Sequence, residues 1–353
     1  MKQPEHRRRP RYSGTHPKTF SQKYKELNTQ AYPGFGDHLR AKGKTPAGTH
    51  VPVLVEEVLA CLNPQPGQIV VDCTIGYGGH ALEFIKRIGP TGKLIGFDVD
   101  GPQLEHTRQR LTGTNVPLSL YRKNFAGIAN VLADEHPAGC DVIFADLGVS
   151  SMQIDDPARG ISYKNDGPLD MRMDDRIKQT GADLLMTLCE EKLSTALWEL
   201  ADEPDHQRIA NWIVAQRAVQ PITETSQLVR LILNAKGLSP ATWRKQQKSA
   251  GFGSLHPAAR TFQALRILVN DELGSLKELL RIAPGCLRPG GRIGIISFHS
   301  GEDRLVKQPF RNGVRTGVYQ SAARNAIAPG VKEIMLNPRS ASAKFRWAAR
   351  PLL

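Results

Sequence analysis

The sequence predicts an α/β fold: a mostly parallel sheet with helices on both faces, split by a helical insert. Three observations carry this expectation. From residue 50, short apolar runs alternate with stretches of helical periodicity, the pattern of βαβ units. Near residue 155 the alternation stops, and only helical periodicity follows until about 255. A further apolar run at 292–298 then supplies a late strand of the same sheet. The chain has 353 residues, enough to bury a substantial core.

In order, residues 52–62 read as a helix with Val53, Leu54, Val58 and Leu62 on one face. Ile69-Val70-Val71 is a strand, followed by a Gly-rich turn and a helix over 80–88. Residues 93–97 form the next strand and 102–111 the next helix. A weak strand at 118–121 precedes a clear one at 141–145. Residues 152–177 are a long polar segment, and 182–235 read as several helices. Trp198, Ile209, Trp212, Ile213, Leu228, Leu231 and Ile232 supply their apolar positions. One long helix is expected over 258–282, with Phe262, Leu265, Val269, Leu273, Leu276 and Leu280 spaced by three and four. Leu287-Arg288-Pro289-Gly290-Gly291 is a turn into the late strand. The expected domains are a basic arm over 1–48, a discontinuous α/β domain over 49–154 and 256–353, and an insert over 155–255.

The formal net charge is +13, which hints at a polyanionic partner. The charge sits at the ends: residues 1–48 carry +8 and residues 301–353 carry +7, while 49–300 carry −2. The first 48 residues include Arg7-Arg8-Arg9 and have no Leu before Leu27, so they read as a flexible arm. They are Arg-rich like a transit peptide but lack its apolar face. No apolar run is long enough to span a bilayer. Five scattered cysteines without a CxxC pair argue against a disulfide framework or a zinc ribbon, and no metal site is expected. A cytoplasmic location fits this usage best.

Function is expected at the carboxyl ends of the strands, where open α/β sheets bind ligands. Gly76-x-Gly78-x-x-Ala81 follows the first strand, fits the spacing of a dinucleotide fingerprint and opens a helix. Asp98 ends the second strand 22 residues after Gly76, placed to accept ribose hydroxyls, a role Asp100 could also take. Phe125 follows the third strand and could stack on an adenine or pack in the core. Asp146 ends the fourth strand. These positions suit NAD(P) or S-adenosylmethionine, and the Leu-x-Pro-Gly-Gly turn at 287–291 favours the latter.

Longer motifs carry a resemblance. Asp146-Leu-Gly-Val-Ser-Ser-Met-Gln153-Ile-Asp-Asp-Pro-Ala-Arg159-Gly160 is followed by Asp166-Gly-Pro-Leu-Asp170-Met-Arg172-Met-Asp174. With His256-Pro-Ala-Ala-Arg260-Thr-Phe-Gln263-Ala-Leu-Arg266 and Asn337-Pro-Arg-Ser340-Ala-Ser-Ala-Lys344, this closely resembles the ribosomal small-subunit methyltransferase H family. The resemblance implies a class I methyltransferase fold, Rossmann-like and interrupted by a helical domain. It implies methyl transfer from S-adenosylmethionine to the exocyclic N4 of a cytidine in 16S rRNA. It carries the cofactor site to Gly78, Gly79, His80, Asp98, Phe125, Asp146 and Gln153.

Cytosine N4 is a poor nucleophile because its lone pair is conjugated into the ring. Asp146 is the first candidate to accept its N–H, with Asp166, Asp170 and Arg172 as further candidates or, alternatively, a salt-bridged loop. Ring-carbon methylation would need a cysteine nucleophile, and Cys140 and Cys73 are not so placed. His299 could face the pocket or cap the next helix. Arg244, Lys245, Lys248, Arg260, Arg266 and the basic ends are expected to contact RNA. The partner is 16S rRNA or the small ribosomal subunit, with a homodimer left open and no membrane. The competing readings are methylation of another RNA or DNA base, an NAD(P)-dependent oxidoreductase, and a non-catalytic ribosome assembly factor.

Overall fold

The structure is a computed structural model that describes residues 52–239, 241–243 and 255–352. The arm over 1–48 and Arg244, Lys245 and Lys248 lie outside the described residues.

The first half builds a parallel sheet. Helix α1 (Val55–Leu62) precedes β1 (Ile69–Asp72), α2 (Gly79–Ile88), β2 (Lys93–Asp98), α3 (Gly101–Leu111) and β3 (Leu118–Arg122). Then come α4 (Ile128–Glu135), β4 (Cys140–Asp146) and the short α5 (Ser151–Asp155). The insert contributes α6 (Gly181–Thr187), α7 (Glu190–Ala201), α8 (His206–Val219) and α9 (Thr225–Ala235). Helices α10 (Ala259–Asn270) and α11 (Glu272–Cys286) lead back to β5 (Leu287–Ser297). The chain finishes with α12 (Ser300–Thr316), β6 (Ser321–Ala322), α13 (Val331–Leu336) and β7 (Lys344–Ala349).

The seven strands lie in the order β3-β2-β1-β4-β5-β7-β6. The pairs from β3 through β5 are parallel, whereas β7 runs antiparallel between β5 and β6. This is the class I methyltransferase arrangement, a Rossmann-like parallel half with a reversed seventh strand. Strand order reverses between β1 and β4, which makes the crevice above them the switch point where such sheets bind ligands.

Both faces of the sheet are covered, so its central strands read as continuous apolar runs rather than alternating ones. Successive residues of β1 enter opposite cores: Val70 packs with α1, α2 and α3, and Val71 with α4, α11 and α12. Strand β3 is the edge, and every residue in it is half-exposed, which explains its weak signal.

The insert has its own core, and α10 belongs to it: Phe262, Leu265 and Val269 pack with Leu193, Leu197, Ile209 and Ile213. The single helix expected over 258–282 is therefore two. Asp271 breaks it in a left-handed conformation (φ +46°), and Leu276 and Leu280 beyond the break join the sheet core instead. Trp198 and Trp212, read as apolar positions of the insert, are 52% and 42% exposed. The buried faces of α7 and α8 are Leu193, Leu197 and Ala201 in one and Ile209, Ala210 and Ile213 in the other.

Candidate active site

The ends of β1, β2 and β4 bring Asp72, Asp98 and Asp146 to one edge of the sheet. The turn after β1 is bonded to both neighbouring strands: the Cys73 N–H donates to the Phe144 carbonyl and the Ile75 N–H to the Phe97 carbonyl, at 2.8 and 2.9 Å. Gly76 (φ +48°) and Gly78 (φ +74°) take left-handed conformations that let the turn close tightly. Gly78 is the N-cap of α2 and has no side chain to satisfy that helix's first N–H groups, so they remain available.

Asp98 is held by backbone. Its Oδ2 accepts the Gly76 N–H (2.8 Å) and its Oδ1 the Asp100 N–H (2.9 Å). A carboxylate offers about four lone-pair sites, so each oxygen keeps capacity for a ligand hydroxyl. Burial pushes its pKa up to about 6, with the Asp100 N–H opposing the shift. Phe125 lies in the turn after β3, packs against the sheet core and also lines the cavity. Both of its expected roles are compatible with that position.

Asp100 is not the solvent-facing alternative to Asp98. It is buried and caps α3, accepting from the Gln103 N–H (3.1 Å), Gln103 Nε2 (2.9 Å), Gln153 Nε2 (2.8 Å) and Arg159 Nη2 (2.7 Å). Gln153 lines the cavity, yet both ends of its amide are bound to protein, since its Oε1 accepts the Ser150 N–H (2.9 Å). It braces the turn after β4 against α3.

Asp146 is treated differently. Its carboxyl accepts no hydrogen bond among the described residues, and its Oδ1 is buried without a partner. Its Oδ2 stands 3.7 Å from Nδ1 of His80. Burial, followed by the charges of Asp72 and Glu302, pushes its pKa up to about 8. His80 Nε2 lies 2.9 Å from the Val53 carbonyl. A carbonyl only accepts, so the proton sits on Nε2 and the Nδ1 lone pair faces Asp146. Burial lowers the His80 pKa to about 4, so the two side chains form no ion pair at neutral pH.

These groups line a cavity of about 1020 Å³, at the upper end of the range for small-molecule sites. Its far wall comes from the insert and the second half of the sheet: Tyr163, Phe262, Gln263, Arg266, Asn270, His299 and Glu302. Glu302 is buried and accepts the Phe298 N–H (2.8 Å), and His299 caps α12. The His299 ring also lines the cavity, so both of its expected positions are realised. Cys73 touches the cavity wall, but burial pushes its thiol pKa well up, as a packed and unreactive cysteine requires.

Several expected site residues lie elsewhere. Asp166 is exposed and accepts the Ser226 N–H (3.2 Å) and its neighbour Gly167's N–H (3.1 Å), tying a loop to α9. Asp170 and Arg172 bind each other through two bonds of 2.8 Å, and neither lines the cavity. Asp170 and Arg172 form an ion pair, whereas Asp166 makes hydrogen bonds alone among the described residues. Arg266 faces the cavity and is paired bidentately with Glu272 through Nε and Nη2 (2.8 and 3.0 Å), which engages one edge of its guanidinium. Arg260 donates to the Asp202 carbonyl and fastens α10 to the end of α7. The exposed cations at the cavity mouth are instead Lys123 and Lys164, which the sequence did not single out.

The sequence profile of the MraW methylase family matches residues 47–351. Ribosomal RNA small subunit methyltransferase H 2 of Alkaliphilus metalliredigens is 42% identical over 347 residues, 97% of each chain. Ribosomal RNA small subunit methyltransferase H 1 of Lachnoclostridium phytofermentans is 42% identical over 352 residues, covering 99% of this chain and 94% of that one. Among solved structures, fibrillarin of Aeropyrum pernix with bound S-adenosyl-L-methionine aligns at 9% identity and a TM-score of 0.35, covering 80% of this chain and 67% of that one.

Proposed function

The chain belongs to the MraW methylase family, and from that premise we propose that it methylates the exocyclic N4 of a cytidine in the 16S RNA of the small ribosomal subunit, using S-adenosylmethionine. The observation that carries the reading is Asp146, a half-buried carboxyl at the β4 end that accepts no hydrogen bond among the described residues and faces a cavity that also holds the glycine turn and Asp98.

The residues fit the cofactor. Gly78 and Gly79 open α2, whose free N–H groups suit a carboxylate. The spare lone pairs of Asp98 suit the two hydroxyls of a ribose, and Phe125 offers a ring face for adenine. S-adenosylmethionine supplies a methyl group on a cationic sulfur, so transfer is an in-line displacement. The protein has to align the amine, exclude water and take up charge as it develops.

Asp146 serves the last task. In its ionised form it accepts one N–H of the amine and draws electron density onto the nitrogen. As the N–C bond forms, the nitrogen gains positive charge and the N–H proton passes to a carboxylate oxygen of Asp146. A carboxyl that the fold leaves without hydrogen-bond donors retains its full basicity for this step. His80 is neutral beside it, so it does not neutralise the ionised form of Asp146.

Lys123 and Lys164 supply phosphate contacts around the mouth, and the basic arm adds sequence-independent attraction. A base held in folded rRNA has to be splayed out to reach the cavity, at a cost of a few kcal/mol. All five cysteines are free among the described residues, in keeping with a reducing, cytoplasmic setting.

The test is to incubate labelled S-adenosylmethionine with small subunits from cells lacking the protein, then map the methylated nucleoside by mass spectrometry. We expect N4-methylcytidine at one site with the wild-type protein and none with Asp146→Asn. Label on another atom, or near-normal turnover by the variant, would overturn the reading.

A further inference from the structure

Resting on that reading, we propose that Gln263 pairs with the Watson–Crick edge of the acceptor cytosine and so orients its amine. Most polar side chains on the far wall are already engaged. Asn270 donates to the Met171 and Arg266 carbonyls and accepts the Met173 N–H, all at 2.8 Å. Arg266 is clamped by Glu272, and the Ser275 hydroxyl accepts from Asn124 (2.8 Å). Gln263 differs. Among the described residues its one hydrogen bond is a marginal 3.5 Å approach of Nε2 to the Leu200 carbonyl, and its Oε1 accepts none. It is half-buried and lines the cavity.

Gln263 lies one turn before Arg266 on α10, on the same face. Both line the cavity that Asp146 and Glu302 also line.

A glutamine amide presents one acceptor and one donor in a plane. Cytosine presents a matching pair along its Watson–Crick edge, an N4–H donor beside the N3 acceptor. A turned amide could pair with uracil as well, but uracil carries no exocyclic amine, so the pairing serves to orient cytosine rather than to exclude uracil. With Gln263 Oε1 on one N4–H and Asp146 on the other, the amine is fixed by two acceptors and its lone pair is directed out of the base plane.

The experiment is a cycle between protein and substrate. Small-subunit RNA is prepared with cytidine or with 3-deazacytidine, which lacks the N3 acceptor, at the modified position. Wild-type protein, Gln263→Leu and the near-isosteric Gln263→Glu are assayed on both, with S-adenosylmethionine affinity and thermal unfolding measured for each. We expect both variants to lose roughly 10- to 100-fold in kcat/KM on cytidine RNA, while cofactor affinity stays within twofold. Wild-type protein should lose a similar factor on the analogue, and Gln263→Leu should lose little more. If the analogue penalty is the same in wild type and variant, or if Gln263→Leu matches wild type on cytidine RNA, the assignment is overturned. Wild-type methylation at an atom other than N4 overturns both this assignment and the function it rests on.

Discussion

Asp98 and Asp146 end strands on either side of β1, and the backbone treats them oppositely. Asp98 receives two N–H groups, so its carboxylate is oriented before any ligand arrives. Replacing it with Ala removes charge-assisted bonds and should weaken S-adenosylmethionine binding at least about tenfold, measured by calorimetry. Asp146 receives none, and its pKa of about 8 lies above the ordinary carboxyl value of about 4. A carboxyl whose pKa rises on folding stabilises the fold while it stays protonated, and that contribution is lost as pH rises from about 4 through about 8. Asp146→Asn should therefore flatten the decline of melting temperature between pH 6 and 9, by several degrees at the alkaline end. The same ionisation should couple to the cationic cofactor. Affinity is expected to rise with pH, by up to about tenfold per unit, and level off above about 8. A slope that persists in Asp146→Asn would assign the titration to another group. Asp98 and Asp146 were legible because each closes an apolar run, and strand ends can be read from sequence. Gln153 and Asp100 were not, since which of them faces a ligand depends on contacts 53 residues apart.

At the level of elements, the break between α10 and α11 is the departure with the clearest cause. Asp271 adopts its left-handed conformation beside Gly274, where an added Cβ would lie 2.3 Å from Asp271 Oδ1. Gly274→Ala should only turn that exposed carboxylate aside, so the change in stability should stay within about 1 kcal/mol in denaturant titration. Periodicity could not reveal this, because the apolar stripe continues in register across the break while its two halves serve different cores. Strands of the parallel sheet were legible as buried apolar runs. Helix α4 was not singled out although Ile128, Val131 and Leu132 carry its spacing. The polar segment after Asp166 misled for another reason: dense carboxylates and arginines look alike whether they serve chemistry or hold a loop together. Asp170 and Arg172 do the latter.

Over the whole molecule, the +13 charge divides between ends that differ in kind. Part of the C-terminal share is neutralised locally, with Arg339 on Asp155 and Arg346 on Asp303, each at 2.7 Å. Residues 1–48 hold the larger unassigned share. Deleting them should weaken RNA binding and reduce the slope of log affinity against log salt, while the modified nucleotide stays the same. A filter-binding series from 50 to 300 mM salt checks this, and an unchanged slope would remove the arm from RNA recognition. How β7 closes the sheet was not legible, because it is a six-residue run whose partner lies some 50 residues earlier. Strand β7 fills the space between β5 and β6, and the stretch just before it, Asn337 to Ser342, forms part of the cavity rim. One stretch of chain thus completes both the sheet and the pocket wall, so loosening β7 would open the rim along with the strand pairing.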